Sequence, residues 1–315
     1  MPEPAEHYTR HSVTVKASAE AVYGLIADVE QWPHVFPPTI HAERLDRDGG
    51  TERIRLWALA NDEVKTWTSR RELDRPAWTI RFRQEVTPAP AAAMSGEWIL
   101  VPQSPHETKV LLDHRFRAID DAPDGVRWLR QAVERNSVSE LGRLRTAAEL
   151  AEGIDAVRLS FEDSVRIRGD LGTVYEFLND AGRWPQRLPH VTRVDLSEKA
   201  PGIQDMEMDT RTIDGTTHTT RSVRVCFPGR SIVYKQTVLP AAMAAHTGAW
   251  RLDQDGETVA ATSQHTVVLD RAGVTNLLGP DATVEQAKEI VRTALGKNSR
   301  ATLEHARQFA EARRG

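Results

Sequence analysis

Polar and apolar positions change their period in a fixed order along the chain. His11 to Lys16 alternates with a period of two, which predicts a strand. Ser18 stands at an N-cap position ahead of Val22, Leu25, Ile26 and Val29, which share one helical face. Pro33, Pro37 and Pro38 stop the helical region, because proline lacks the amide a helix needs. Alternating stretches then predict strands at about 40–47, 51–60, 63–74, 77–85, 93–102 and 107–117. The turn signals between them include Asp48-Gly49-Gly50, Asn61-Asp62, Arg75-Pro76 and Gln103 to His106. From about Pro123 to Glu152 the period is helical again, with Leu129, Val133, Leu141, Leu144 and Ala148 on the apolar face.

The whole order then repeats. Ser12-Val13 recurs as Ser164-Val165, 152 residues on. At the same offset Val22-Tyr23 answers Val174-Tyr175 and Trp32-Pro33 answers Trp184-Pro185. Pro76, Gln84 and Pro88 likewise answer Pro228, Gln236 and Pro240, and Gly96-x-Trp98 answers Gly248-x-Trp250. Near the end the offset becomes 162, pairing Asn136-Ser137 with Asn298-Ser299. So many matches in one order indicate a duplication. We expect two α+β domains, 1–153 and 160–315, with a boundary near Gly153 to Ser160. In each, a seven-stranded antiparallel sheet would wrap a long C-terminal helix. A sheet bent around a helix encloses space, a natural small-molecule site.

Composition narrows the class. A length of 315 residues suits two domains. The formal net charge of −4 argues against a protein held to nucleic acid by bulk charge. One cysteine, Cys226, allows neither an internal disulfide nor a zinc finger. No apolar run approaches the ~18 residues of a membrane span, and the first ten residues lack a signal-peptide core. His34, His41 and Glu43 lack metal-motif spacing, so no metal is expected. No nucleotide loop is present, so no cofactor is expected. These features describe a cytoplasmic protein that contacts neither membrane nor nucleic acid. Eight tryptophans, against four tyrosines and seven phenylalanines, remain to be explained.

Alternation assigns faces. Trp67, Ser69, Arg71 and Leu73 share one side of the fourth strand. In the fifth, Trp78, Ile80, Phe82 and Gln84 oppose the plainly solvated Thr79, Arg81, Arg83 and Glu85. In the seventh, Val110, Leu112, His114 and Phe116 alternate with Asp113, Arg115 and Arg117. The inward polar groups are then Ser69, Arg71, Gln84 and His114, set among Trp67, Phe82 and Trp98, with Asn136 on the apolar side of the last helix. Such a wall suits a flat, oxygenated, apolar ligand, because indoles stack on aromatic rings. Each residue also has a structural reading. The tryptophans would be core, His114 a satisfied core histidine, and Gln84 and Asn136 backbone bridges. Arg71 carries most information. A guanidinium cannot shed its charge, so it either pairs with a buried carboxylate or waits for an oxygen-rich ligand.

Trp32-Pro33, Phe36-Pro37-Pro38-Thr39, Trp67-Thr68-Ser69-Arg70-Arg71 and Arg135-Asn136-Ser137 together resemble polyketide aromatase/cyclases of the START-like helix-grip superfamily. Two fused copies resemble the di-domain aromatase/cyclases of bacterial type II polyketide synthases. The resemblance implies an aldol closure of the first ring, between the seventh and twelfth carbons of a ketoreduced poly-β-ketone, followed by dehydration to an aromatic ring. The chain would arrive on an acyl carrier protein, with the ketosynthase and ketoreductase of the same synthase as further partners. Arg71, Ser69 and His114 would then be catalytic. Trp32, Thr39, Trp67, Phe82, Gln84, Trp98 and Asn136 would bind substrate. A pocket tyrosine of the family falls near Thr39, a departure that puts any tyrosine-dependent proton step in doubt. Arg44, Arg47, Arg127 and Arg130 are candidates for a basic rim facing the acidic carrier. We expect a monomer with its two domains paired.

The second copy differs. Its fourth strand, Thr216 to Ser222, fits two registers. One matches Trp67 with His218 and Arg71 with Ser222; the other matches Trp67, Ser69 and Arg71 with Thr217, Thr219 and Arg221. Either way the tryptophan is missing. The candidate second pocket comprises Trp184, His218, Thr220, Arg221, Gln236, Trp250, His265 and Asn298, for a later step or for support. Two other classes fit the same residues: a START-like carrier that binds a polyketide or lipid without chemistry, and a cyclase-like structural subunit.

Overall fold

The computed structural model describes residues 5–150, 153–211 and 217–313. It divides into two compact units, Met1–Ile154 and Asp155–Gly315. In the first, strands β1 (His7–Val15), β2 (Thr39–Asp48), β3 (Thr51–Ala60), β4 (Glu63–Asp74), β5 (Thr79–Val86), β6 (Ala91–Ser104) and β7 (Glu107–Ala118) form one antiparallel sheet. Its order is β1-β7-β6-β5-β4-β3-β2. Helices α1 (Ala19–Ala27) and α2 (Trp32–Val35) fill the chain between β1 and β2, and α3 (Pro123–Ala148) closes the unit.

The second unit repeats this. Strands β8 (Arg158–Arg168), β9 (Val191–Ala200), β10 (Ile203–Arg211), β11 (Thr217–Phe227), β12 (Ser231–Val238), β13 (Met243–Asp255) and β14 (Thr258–Leu269) join in the order β8-β14-β13-β12-β11-β10-β9. Its helices are α4 (Leu171–Asn179), α5 (Trp184–Arg187), α6 (Arg271–Leu278) and α7 (Val284–Ala312). The extra residues near Gly273 form α6, which has no counterpart in the first unit.

Local chemistry accounts for the ends. The Ser18 hydroxyl accepts the Ala21 amide at the start of α1, and Asp170 caps α4 in the same way through Thr173. Thr283 and Gln286 form a reciprocal capping box on α7. The strand β1 starts at His7, four residues before the alternation made it legible, because His7 and Thr9 pair with Phe116 and His114 of β7.

The repeated Gly-x-Trp motif has a packing reason. A Cβ at Gly96 would collide with the Phe82 ring and the Asp113 carbonyl, and one at Gly248 would collide with the Tyr234 ring. Glycine lets an aromatic ring lie directly across the neighbouring strand. Trp98 and Trp250 then complete the cores beside Ile80 and Ile232.

The register of β11 corrects both expected alignments. Arg71 pairs with Phe82, and Arg224 pairs with Tyr234, the residue 152 beyond Phe82. Ser69 pairs with Gln84 and Ser222 with Gln236. The equivalents are therefore Trp67 and Thr220, Ser69 and Ser222, Arg71 and Arg224, at an offset of 153. The offset changes because the hairpin connecting β11 to β12 is one residue shorter than the one connecting β4 to β5. The second unit therefore keeps its arginine, as Arg224. Arg221 lies on the outer face, exposed and ion-paired with Asp205 at 2.7 Å. His218 is exposed as well. Thr216, at the start of the expected strand, lies outside the described residues.

Candidate active site

In the first unit the curved sheet and α3 enclose a cavity of about 1060 Å³, its mouth included. β4 contributes Trp67, Ser69 and Arg71; β5 contributes Phe82 and Gln84; β6 and β7 contribute Trp98 and His114. Trp32, Thr39 and Asn136 also line it. All ten residues singled out in the first copy thus face one space.

Arg71 is 1% exposed, and its surroundings are built to hold a charge. Nη1 lies 2.9 Å from Oε1 of Glu52, itself 1% exposed. Nη2 donates to the Ile26 carbonyl at 2.7 Å, and Nη1 reaches the Ala27 carbonyl at 3.4 Å. The guanidinium carbon lies 4.9 Å from the centre of the Trp32 ring. Trp32 is fixed in turn by its indole N–H on the Ile26 carbonyl, 3.1 Å away. The structural reading of Arg71, a carboxylate partner, is therefore present. A guanidinium has five N–H donors, however, and Nε–H with one Nη2–H find no acceptor among the described residues. Burial pushes the Arg71 pKa down to about 10 against the pull of Glu52, which leaves the group charged at neutral pH.

Glu52 also accepts Nε of Arg44 at 3.0 Å on its other oxygen, and Arg44 extends to Glu30. Arg44 thus belongs to the internal ion network rather than to a free basic rim. Arg127 is likewise paired, with Asp124, and Arg130 contacts His7 at 3.5 Å.

His114 meets Phe82 edge-on at 5.5 Å, and its buried Nδ1 has no hydrogen-bond partner among the described residues. Burial, helped by His11, holds its pKa at about 4, so the ring is a neutral imidazole at neutral pH. Gln84 Oε1 is also buried, with no hydrogen-bond partner among the described residues. Asn136 donates to the Leu59 carbonyl at 2.9 Å, so its amide ties α3 to the end of β3. Phe36 stacks on Trp98 at 6.0 Å and meets Trp32 edge-on at 5.3 Å, joining the aromatic wall to α2.

Several lining residues escaped the sequence reading: Trp128, Lys65, Met94 and Glu140. Lys65 pairs with Glu63 and sits 5.3 Å above the Trp128 ring. Glu140 makes no hydrogen bond or ion pair among the described residues, and burial alone pushes its pKa up to about 8. The helical series Leu129, Val133, Asn136, Glu140 would have placed it on the cavity side.

The second unit uses the same positions differently. Arg224 is 1% exposed, with Nη2 on the Leu178 carbonyl at 2.6 Å and Trp184 beneath it at 5.5 Å. Opposite it on β10, Gln204 stands where Glu52 stands in the first unit. Phe82, Met94 and Leu112 are replaced by Tyr234, His246 and Ser263. These form a buried polar chain through His265. Its Nε2 lies 3.2 Å from Ser263 Oγ, and its Nδ1 lies 3.3 Å from Tyr234 Oη and 3.1 Å from His246 Nε2. Trp184 and Trp250 are buried, Gln236 points inward, and Thr220 bonds the Met208 carbonyl. Asn298 is exposed, because the buried series Gly296, Ser299, Leu303 turns the neighbouring positions of α7 inward instead.

Among the described residues no helix is long and apolar enough to cross a membrane. No group of three or more His, Cys, Asp or Glu is arranged to hold a metal ion there either.

Comparison with known proteins agrees with this architecture. Residues 7–149 match the family described as polyketide cyclase / dehydrase and lipid transport. The chain is 42% identical over 312 residues to the granaticin polyketide synthase bifunctional cyclase/dehydratase of Streptomyces violaceoruber, covering 99% of this chain and 96% of that protein. It is 45% identical over 317 residues to the actinorhodin polyketide synthase bifunctional cyclase/dehydratase of Streptomyces coelicolor, covering 97% and 98%. The crystal structure of the di-domain ARO/CYC BexL superposes with a TM-score of 0.85 at 50% identity, over 97% of this chain and 99% of that one. The di-domain ARO/CYC StfQ from the steffimycin pathway gives 0.82 at 35% identity, over 98% and 99%.

Proposed function

The chain belongs to the polyketide cyclase/dehydratase family, and from that premise we propose that the first-domain cavity folds a carrier-bound, ketoreduced poly-β-ketone and closes its first ring between the seventh and twelfth carbons. The observation that carries this reading is the Arg71 fork. A charged guanidinium is locked in an aromatic cavity with two donors uncommitted, and an enolate oxygen is the acceptor it suits.

An aldol closure needs one methylene deprotonated and one carbonyl polarised. Neutral His114 accepts the methylene proton, directly or through the buried Ser69 hydroxyl. The electron pair moves onto the ketone oxygen facing Arg71, the enolate carbon then attacks the acceptor carbonyl, and the alkoxide so formed takes the proton back from the imidazolium. Trp32, Trp67, Trp98 and Phe82 hold the chain so that the two carbons meet, which makes shape the source of regiospecificity. Excluding water suppresses competing closures. Glu52 and the Ile26 carbonyl position the guanidinium, and Asn136 positions α3 over the cavity.

The test is reconstitution with a minimal synthase, ketoreductase and acyl carrier protein. Arg71→Gln is expected to replace the correctly cyclised product by spontaneous shunt products, while Arg221→Ala, on the outer face, leaves the product spectrum unchanged. A wild-type spectrum from Arg71→Gln would remove Arg71 from the chemistry. A spectrum that is the same with and without the protein would make it a carrier.

A further inference from the structure

We propose that Lys65 binds the phosphate of the carrier's phosphopantetheine arm, so that the substrate is held at two points: the ring-forming carbons at Arg71 and the phosphodiester at Lys65. The assignment rests on the reading of the first-domain cavity given above, in which the chain arrives on a carrier protein, and adds a second binding point to it.

The placement comes from β4. Lys65, Trp67, Ser69 and Arg71 alternate along one face of the strand, and all four line the cavity. Arg71 is the buried end of this row, and at the other end the Lys65 side chain is 24% exposed. Lys65 stands beside the turn between β3 and β4, whose tip is fastened to α3 by the Asn61 amide on the Trp128 carbonyl at 2.9 Å. The Lys65 ammonium lies 5.3 Å from the centre of the Trp128 ring. Ala60, Lys65 and Trp128 are partly exposed members of the cavity wall, which puts the mouth here.

Length decides which part of the substrate reaches Lys65. The strand carries Lys65 about 20 Å from Arg71, at ~3.3 Å per residue. An extended chain advances ~1.2 Å per covalent bond, since a peptide residue spans ~3.6 Å in three bonds. From the seventh carbon to the thioester sulfur the acyl chain therefore covers only ~8 Å, too little to reach Lys65. The phosphorus of the arm lies about twenty bonds from the seventh carbon, ~24 Å when fully extended, so a slightly bent arm brings it there. Between thioester and carrier, the phosphate is the arm's one charged group.

The Lys65 charge is available at small cost. Its partner Glu63, 2.8 Å away, has a side chain 57% exposed, and an ion pair open to water contributes little. An ammonium has three donors, and Glu63 is its one hydrogen-bonding partner among the described residues. Asp62, the other acid of the turn, is paired with Arg135 at 3.1 Å. Arg71, the permanent cation deeper in the wall, is held by Glu52. A lysine meets a phosphate as a flexible point charge, which suits a diester that must arrive and leave with each carrier.

Phosphopantetheine and pantetheine differ only in the phosphate and serve as the probes, with binding followed by calorimetry. Wild type should bind phosphopantetheine ~3–10-fold more tightly than pantetheine, an advantage that shrinks as salt is added. Lys65→Met keeps the length of the side chain and should abolish the advantage. Glu63→Gln removes the competing carboxylate and should enlarge it. A merely structural Lys65–Glu63 pair would make the two variants behave alike. In the reconstituted synthase, Lys65→Met should need ~3–10-fold more protein for half-maximal correct product, and should give the wild-type product spectrum at saturation. Equal binding of the two probes by wild type, or an undiminished advantage in Lys65→Met, overturns this inference; with Arg71→Gln defective in ring closure, the cavity reading still stands. If neither Lys65→Met nor Arg71→Gln departs from wild type, both fall.

Discussion

Glu140 should leave a mark on stability that needs no substrate. A carboxyl whose pKa rises from 4.5 to about 8 on folding binds its proton more tightly in the native state. Between those values the unfolded chain has released the proton and the native protein has not. Stability from this group is therefore fully present below about pH 4.5 and is lost as pH rises toward 8. Each pKa unit corresponds to about 1.4 kcal/mol, so the full loss is at most about 5 kcal/mol, reduced by any water that reaches the cavity. Glu140→Gln removes the linkage. Urea unfolding at pH 5, 6.5 and 8 would measure it, followed by tryptophan fluorescence. Six of the eight tryptophans (Trp32, Trp57, Trp67, Trp78, Trp98 and Trp128) lie in the first domain, so the signal reports chiefly on the domain that was changed. The variant should gain on wild type by several kcal/mol between pH 5 and pH 8. A difference that does not vary with pH would show that Glu140 ionises normally in the folded protein.

Other perturbations follow from the same geometry. Gln204→Glu restores beside Arg224 the carboxylate that Arg71 enjoys; it should raise second-domain stability by roughly 1–3 kcal/mol, and a lowered melting temperature would refute the charge argument. Gly96→Ala should destabilise the first domain by ~1–3 kcal/mol through the Phe82 ring and the Asp113 carbonyl, as calorimetry would show; a neutral change would mean that the strands separate without cost. His114, His246 and His265 are held neutral, with pKa values near 4, 3 and 4. The unfolded chain then binds protons that the folded one refuses, so stability is full above pH 6.5 and falls toward pH 4. His246→Gln should shallow that acid limb, and an unaltered limb would show that His246 does not contribute to it.

How far the site could be read from sequence depended on periodicity. The period of two in β4, β5 and β7 places Trp67, Ser69, Arg71, Phe82, Gln84 and His114 on one face, and all of them line the cavity. Glu52 was not legible as the partner of Arg71. It lies on β3 directly opposite, but nothing in a run of Glu, Arg and Thr marks that glutamate as inward before pairing is known. Glu140 sat in a helical series already traced as far as Asn136, and its charge hid it among solvated residues. Arg224 was missed for a different reason. A repeat offset is constant only while hairpins keep their lengths, and a single residue lost between β11 and β12 shifts every pairing before it. The polar chain around His265 was partly visible as an inward histidine. Its partners Tyr234, His246 and Ser263 come from three strands and are joined only by the sheet.

The central claim is that the space enclosed by the first-domain sheet and α3 is where the ring is formed. Ala60 lines that space at the end of β3 and is only half-buried, so a large side chain there can enter the cavity without breaking the core. The most direct measurement is the product spectrum of a synthase reconstituted with Ala60→Trp in place of wild type, the fold checked by circular dichroism. The expected result is a folded protein that no longer directs first-ring closure, so shunt products replace the aromatic product. A folded Ala60→Trp protein that yields the wild-type product at the wild-type rate would contradict it.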